Sequence, residues 1–124
     1  MKPQPLIAVR DVETSSRWYQ RLLGCKSGHG GNDYEQLLDD AGQLILQLHQ
    51  WDAHEHPHIG NQSSTDRGNG VLLWFQVDDF TAAVARARML EVKILEEPKI
   101  NPNANHREVW LRDLDGYVVV LASA

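Results

Sequence analysis

Several strand-like segments of this chain place histidine, carboxylate, amide and aromatic side chains two residues apart, the spacing that puts side chains on one face of a β-strand. In His106-Arg-Glu-Val-Trp-Leu-Arg112, His106, Glu108 and Trp110 share one face, and Val109 and Leu111 the other. Trp74 and Gln76 share a face in Val71-Leu-Leu-Trp-Phe-Gln-Val77, with Val71, Leu73, Phe75 and Val77 opposite. Gln47 and His49 likewise share a face, against Leu44, Leu46 and Leu48. His49 and Glu108 are the candidates for catalysis, as a pair of ligands to a divalent ion or as a general base with its orienting carboxylate. Polar residues at strand ends are also commonly just solvated. Trp74 and Trp110 are candidates for an aromatic binding surface, although tryptophans in strands also fill cores. The cluster His54-Glu-His-Pro-His58 has alternate histidines, but Pro57 interrupts it and no second ligand block accompanies it. It reads as a flexible loop with incidental affinity for transition metals.

The elements that must hold these residues are written twice. His106 to Leu121 is a hairpin turning at Asp113-Leu-Asp-Gly116, and Tyr34 to Leu48 has the same form, with Asp39 and Gly42 lying 74 residues before Asp113 and Gly116. That offset puts Tyr34 and Gln36 in the places of Glu108 and Trp110. Upstream, Leu6 to Val9 is a strand, and Trp18, Tyr19, Leu22 and Leu23 recur at helical spacing before the helix stop Gly24. The second copy runs Val71 to Val77 as strand and Ala82 to Leu90 as helix, with Asp79 lying 68 residues after Asp11. The offset grows by six between helix and hairpin, and Pro98 to Asn105 is expected to be the loop that absorbs it. Asp11, Asp79 and Asp113 fit helix caps and a turn former better than catalytic acids. Each copy therefore reads as βαβββ. The fold class is α+β, two tandem modules forming a curved mixed sheet around a cavity, with module one about residues 1–52, an exposed connector about 53–69 and module two about 70–124.

With 124 residues and a single cysteine, the chain is expected to form one domain without an intrachain disulfide. A net charge of −5 argues against gripping phosphate backbones, so nucleic acid is not an expected partner. No signal segment and no membrane-spanning run is found, and a cytoplasmic protein without membrane association is expected.

The ordered elements, strand, Asp11, Trp18-Tyr19, Leu22-Leu23-Gly24, then Val77-Asp78-Asp79 and Asp113-Leu-Asp-Gly116, resemble the vicinal oxygen chelate superfamily, which includes glyoxalase I, bleomycin and fosfomycin resistance proteins and extradiol dioxygenases. Leu114 replaces the proline usual at the last turn. The resemblance implies sheets that curl around a cavity on one face and carry a helix on the other, and a homodimer. It also implies where metal-dependent relatives hold their ion. Those positions are Gln4 and Leu72, each seven residues before the aspartate that opens a helix, and Val120, four residues past the hairpin glycine. Leucine and valine have no lone pair to donate.

The leading expectation is therefore a protein of this superfamily without the usual metal site or any cofactor. It would bind a small aromatic or amphipathic organic molecule with Tyr34, Gln36, Gln47, His49, Trp74, Gln76, Glu108 and Trp110. One alternative is a glyoxalase-like lyase or isomerase, or a dioxygenase, using a divalent metal held by Gln4, His49 and Glu108. A third reading keeps the fold as a partner-interaction module.

Overall fold

A computed structural model describes residues 2–51, 57–60, 68–103 and 105–124, in two compact units, Met1–Thr65 and Asp66–Ala124. The first unit contains β1 (Leu6–Val9), α1 (Val12–Leu23), β2 (Lys26–Ser27), β3 (Tyr34–Leu38) and β4 (Leu44–Gln50). The second contains β5 (Leu73–Gln76), α2 (Phe80–Met89), β6 (Lys93–Asn101), β7 (His106–Arg112) and β8 (Val118–Ala122). The strand orders are β1-β4-β3-β2 and β5-β8-β7-β6. In each sheet the first strand runs parallel to the last and the other pairs are antiparallel. The two units thus repeat one βαβββ topology in an α+β fold. Among the described residues no helix is long and apolar enough to cross a membrane.

The repeat extends to individual hydrogen bonds. Asp11 accepts from Thr14 N and Asp79 from Ala82 N, both at 3.0 Å, capping α1 and α2. Asp39 accepts from Ala41 N at 2.9 Å and Gln43 N at 2.8 Å. Asp113 accepts from Asp115 N at 2.9 Å and Tyr117 N at 2.8 Å. Gly42 and Gly116 close the turns at φ +78° and +97°, a region that other residues enter at a cost.

Each helix covers one face of its sheet. Val12, Tyr19 and Leu22 of α1 are buried, as are Ile7, Val9, Leu37, Leu46 and Leu48. In the second unit Phe80, Ala83 and Ala87 of α2 are buried, as are Leu73, Val109, Leu111, Val119 and Leu121. Each fully buried leucine or valine contributes roughly 1.5–3 kcal/mol. Helix α1 ends at Gly24, φ +69°, whose N–H bonds Gln20 O at 2.9 Å. Gly24→Ala should lower the urea midpoint by the equivalent of about 1 kcal/mol, because the backbone conformation disfavours a Cβ although no atom crowds it.

Three details differ from the sequence expectations. Helix α2 begins at Phe80, which is buried against the sheet, and ends at Met89. Val71 lies before β5 and is exposed, because that strand starts only at Leu73. Pro98 to Asn101 is strand, so the extra residues lengthen β6, two register shifts take up the slack, and among the described residues only 102, 103 and 105 turn. Proline is tolerated there because β6 is an edge strand, with one side free of ladder bonds.

A bulge in the first hairpin decides which side chains share a face. Leu38 pairs with Leu44 but Leu37 pairs with Leu46, so Ile45 is the extra residue. Beyond it Gln36 pairs with Gln47, whereas Trp110 pairs with Val120 with no such shift. Gln47 is thus the counterpart of Val120. Leu44, expected on the helix side, stands before the bulge and shares the open face with Leu38.

Candidate functional site

On the open face of the first sheet, four of the expected residues form one cluster. Tyr34 pairs with His49 and Gln36 with Gln47 across β3 and β4. The Tyr34 hydroxyl donates to Gln47 Oε1 through a short bond and accepts from Gln36 Nε2 at 3.0 Å. Gln47 Nε2 donates to the main-chain oxygen of Gln4 at 2.8 Å. These bonds fix the amide orientations. The His49 Nδ1–H donates to Gln50 O at 2.7 Å, which leaves Nε2 as its basic nitrogen, and its ring lies 6.3 Å from that of Tyr34. His29 packs edge-to-face with Tyr34, centroid to centroid 5.1 Å. Beyond Gln36 an open depression of about 560 Å³ is lined by residues including Gln4, Gln36, Leu38, Gln43 and Leu44.

On the open face of the second sheet, Glu108 is the centre. It is only 4% exposed. Its Oε2 accepts from His106 Nε2 at 2.9 Å and Asn101 Nδ2 at 3.3 Å, and its Oε1 from Trp110 Nε1 at 3.1 Å. Burial pushes the Glu108 carboxyl upward, but the bonds from His106, Trp110 and Asn101 and the nearby imidazole outweigh it and hold it below the usual glutamate value. A buried, ionised, three-fold bonded carboxylate orients its neighbours rather than moving protons itself. His106, expected at strand end, is tied into this cluster with its side chain 18% exposed. The Trp74 ring, in a residue 44% exposed, stands edge-to-face to it at 5.8 Å. Val120 pairs with both Trp74 and Trp110, and Ala122 with Gln76 and Glu108, so the row Gln76-Ala122-Glu108 lies between Trp74 and His106 in the register.

Each sheet therefore gathers its own candidates. Tyr34, Gln36, Gln47 and His49 lie in the first unit, and Trp74, Gln76, Glu108 and Trp110 in the second. The histidine bonded to Glu108 is His106. Gln4 precedes Ala8, the partner of His49, by four residues, roughly 13 Å of extended chain. The histidines of 54–56 lie outside the described residues. His58 falls in a 3-10 turn, Pro57–Ile59, and is exposed.

Two side chains at buried carboxylate clusters escaped sequence reasoning. Glu35, on the helix face of β3 beside Leu37, is 3% exposed. It accepts from Ser16 Oγ at 2.8 Å, from Ser27 Oγ at 2.8 and 2.9 Å, and from the N–H groups of Gly30 at 2.7 Å, Gln36 at 2.9 Å and His29 at 3.2 Å. Burial raises this carboxyl, but the bonds led by Gly30 N and Ser16 bring it below the usual range. A carboxylate at a core-facing strand parity was the signal. The other is Asn101, whose bond to Glu108 depends on β6 continuing past Pro98. Cys25 is buried and its thiol is pushed up to about 11 by burial, which keeps it protonated and unreactive.

The superfamily's metal-dependent chemistry would need donors at Leu72 and Val120. Leu72 is exposed hydrocarbon and Val120 is a fully buried apolar residue beside two tryptophans. In the first unit Gln47, the counterpart of Val120, has its oxygen bonded to Tyr34 and its nitrogen to Gln4. The described residues contain no group of three or more His, Cys, Asp or Glu able to hold an ion. These donor sets do not fit the metal.

Comparison with known proteins agrees with this architecture. Similar solved structures include the fosfomycin resistance protein FosX from Listeria monocytogenes (13% identity, TM-score 0.73, covering 100% of this chain and 93% of that one). TioX from Micromonospora sp. ML1 is 16% identical with a TM-score of 0.70, covering 100% of this chain and 96% of that one. The hypothetical protein SA1046 from S. aureus is 16% identical with a TM-score of 0.76, covering 100% and 94%. At these identities the likeness concerns the fold alone. No curated protein matches the chain. The family model described as Glyoxalase/Bleomycin resistance protein/Dioxygenase superfamily matches residues 3–121, nearly the whole sequence, and the chain belongs to that superfamily.

Proposed function

We propose that this protein binds a small aromatic or amphipathic organic molecule on the open faces of its sheets, without a catalytic metal. The observation that carries the reading is the second sheet's open face. There Trp74 and Trp110 flank Val120 at the position where metal-dependent relatives carry a glutamate. Partly exposed indoles packed over a buried valine favour rings and alkyl groups, and the amide and hydroxyl groups of Tyr34, Gln36 and Gln47 add polar contacts in the first unit. Sequestering a small molecule needs affinity without chemistry, which matches the missing donors at Leu72 and Val120; FosX is by name a fosfomycin resistance protein. In this reading the protein works in the cytoplasm as a homodimer.

Two measurements test it. Protein purified without a histidine tag should carry well under one equivalent of divalent metal by elemental analysis. Near-stoichiometric metal lost in a Gln4→Ala/His49→Ala variant would overturn the reading. A panel of aromatic compounds should include some that quench tryptophan fluorescence, with Trp74→Ala weakening binding roughly tenfold. Absence of quenching across the panel favours the partner-interaction alternative.

A further inference from the structure

The bonds around Glu108 fix which nitrogen of His106 carries a proton beside Trp74. A carboxylate can only accept, so the 2.9 Å contact with His106 Nε2 requires the proton to lie on that nitrogen. In the neutral ring the lone pair then sits on Nδ1. Glu108 itself is held by Asn101 and Trp110, so the imidazole has a fixed anchor. Nδ1 has no hydrogen-bond partner among the described residues, and the side chain keeps 18% of its surface exposed. Trp74 presents its ring next to that imidazole at 5.8 Å.

We infer that the ligand of this face is an aromatic molecule carrying a neutral hydrogen-bond donor, a phenolic or enolic hydroxyl, whose O–H is received by His106 Nδ1 while its ring lies against Trp74. The inference rests on the binding proposal above and narrows its ligand class. Glu108 acts as a positioning residue by fixing the tautomer. An anionic ligand is disfavoured, because its acceptor oxygens would face a lone pair and its charge would approach the buried Glu108 carboxylate. A ring without a donor would leave Nδ1 desolvated and unpaired.

The test compares 1-naphthol with 1-methoxynaphthalene by isothermal titration calorimetry. The wild type should bind 1-naphthol at least about tenfold more tightly. In His106→Lys the ammonium can still donate to Glu108, but the side chain has no acceptor at all. That variant should lose the discrimination through weaker 1-naphthol binding, with 1-methoxynaphthalene unchanged. Histidine nitrogen NMR gives an independent readout, the Nε2–H tautomer in the free protein and a Nδ1 shift on adding 1-naphthol. Equal binding of both probes, or discrimination that survives His106→Lys, overturns the hydroxyl inference and leaves the aromatic reading standing. A Nδ1–H tautomer, or an imidazolium protonated on both nitrogens, overturns it as well. Failure of both probes to bind overturns the inference together with the aromatic reading.

Discussion

Glu35→Ala should cost about 3 kcal/mol of stability at neutral pH, read as a lowered urea midpoint with an unchanged slope. Five donors converge on that carboxylate, the hydroxyls of Ser16 and Ser27 and the N–H groups of His29, Gly30 and Gln36. They come from α1, β2, the 28–30 loop and β3, so one buried acid joins four segments. Alanine removes every acceptor at once, and buried donors left unpaired cost more than the bonds gained in forming them. The pH dependence follows from the same bonds. Because the folded carboxyl titrates below its ordinary value of 4.5, its stabilisation is complete above that pH and is lost as pH falls through the folded value. Glu35→Gln should therefore differ most from wild type at neutral pH, with the gap between their urea midpoints narrowing on acidification below about 4.5. A gap independent of pH would show that the charge of Glu35 is not what the donors stabilise.

Val120→Glu should be as damaging, roughly 4 kcal/mol, and adding a divalent metal should not restore the loss. The substitution recreates the acidic residue of metal-dependent relatives at the matching position. Here, however, the side chain would enter a fully buried place beside Trp74 and Trp110, with no donor at Leu72 to complete a coordination shell. Thermal melts with and without added zinc distinguish the cases. A variant as stable as wild type, or one rescued by metal, would mean that this face still cradles an ion, and the aromatic-floor reading would fall.

The repeat was readable because it is encoded by residues that act locally. Asp11 and Asp79 cap helices three residues away, and Asp39 and Asp113 build turns with N–H groups two and four residues on, so their spacing alone reports the structure. Strand parity was equally local, and it correctly paired His106 with Glu108 and Trp110, and Gln47 with His49. The edge strand β6 was misread at Pro98 because a proline signals a break unless its missing N–H faces away from the neighbouring strand, and only strand order shows that.

By itself the sequence determined the two βαβββ units, their superfamily, and the absence of lone pairs at Leu72 and Val120, all matters of residue type and short spacing. Tertiary structure alone decided that Ile45 is bulged, which makes Gln47 the counterpart of Val120 and turns Leu44 to the open face. It alone joined Glu108 to Asn101, and surrounded Glu35 with donors from four segments. Burial and hydrogen-bond partnership are set by neighbours distant along the chain, and such neighbours are chosen by strand pairing rather than by any pattern within a segment.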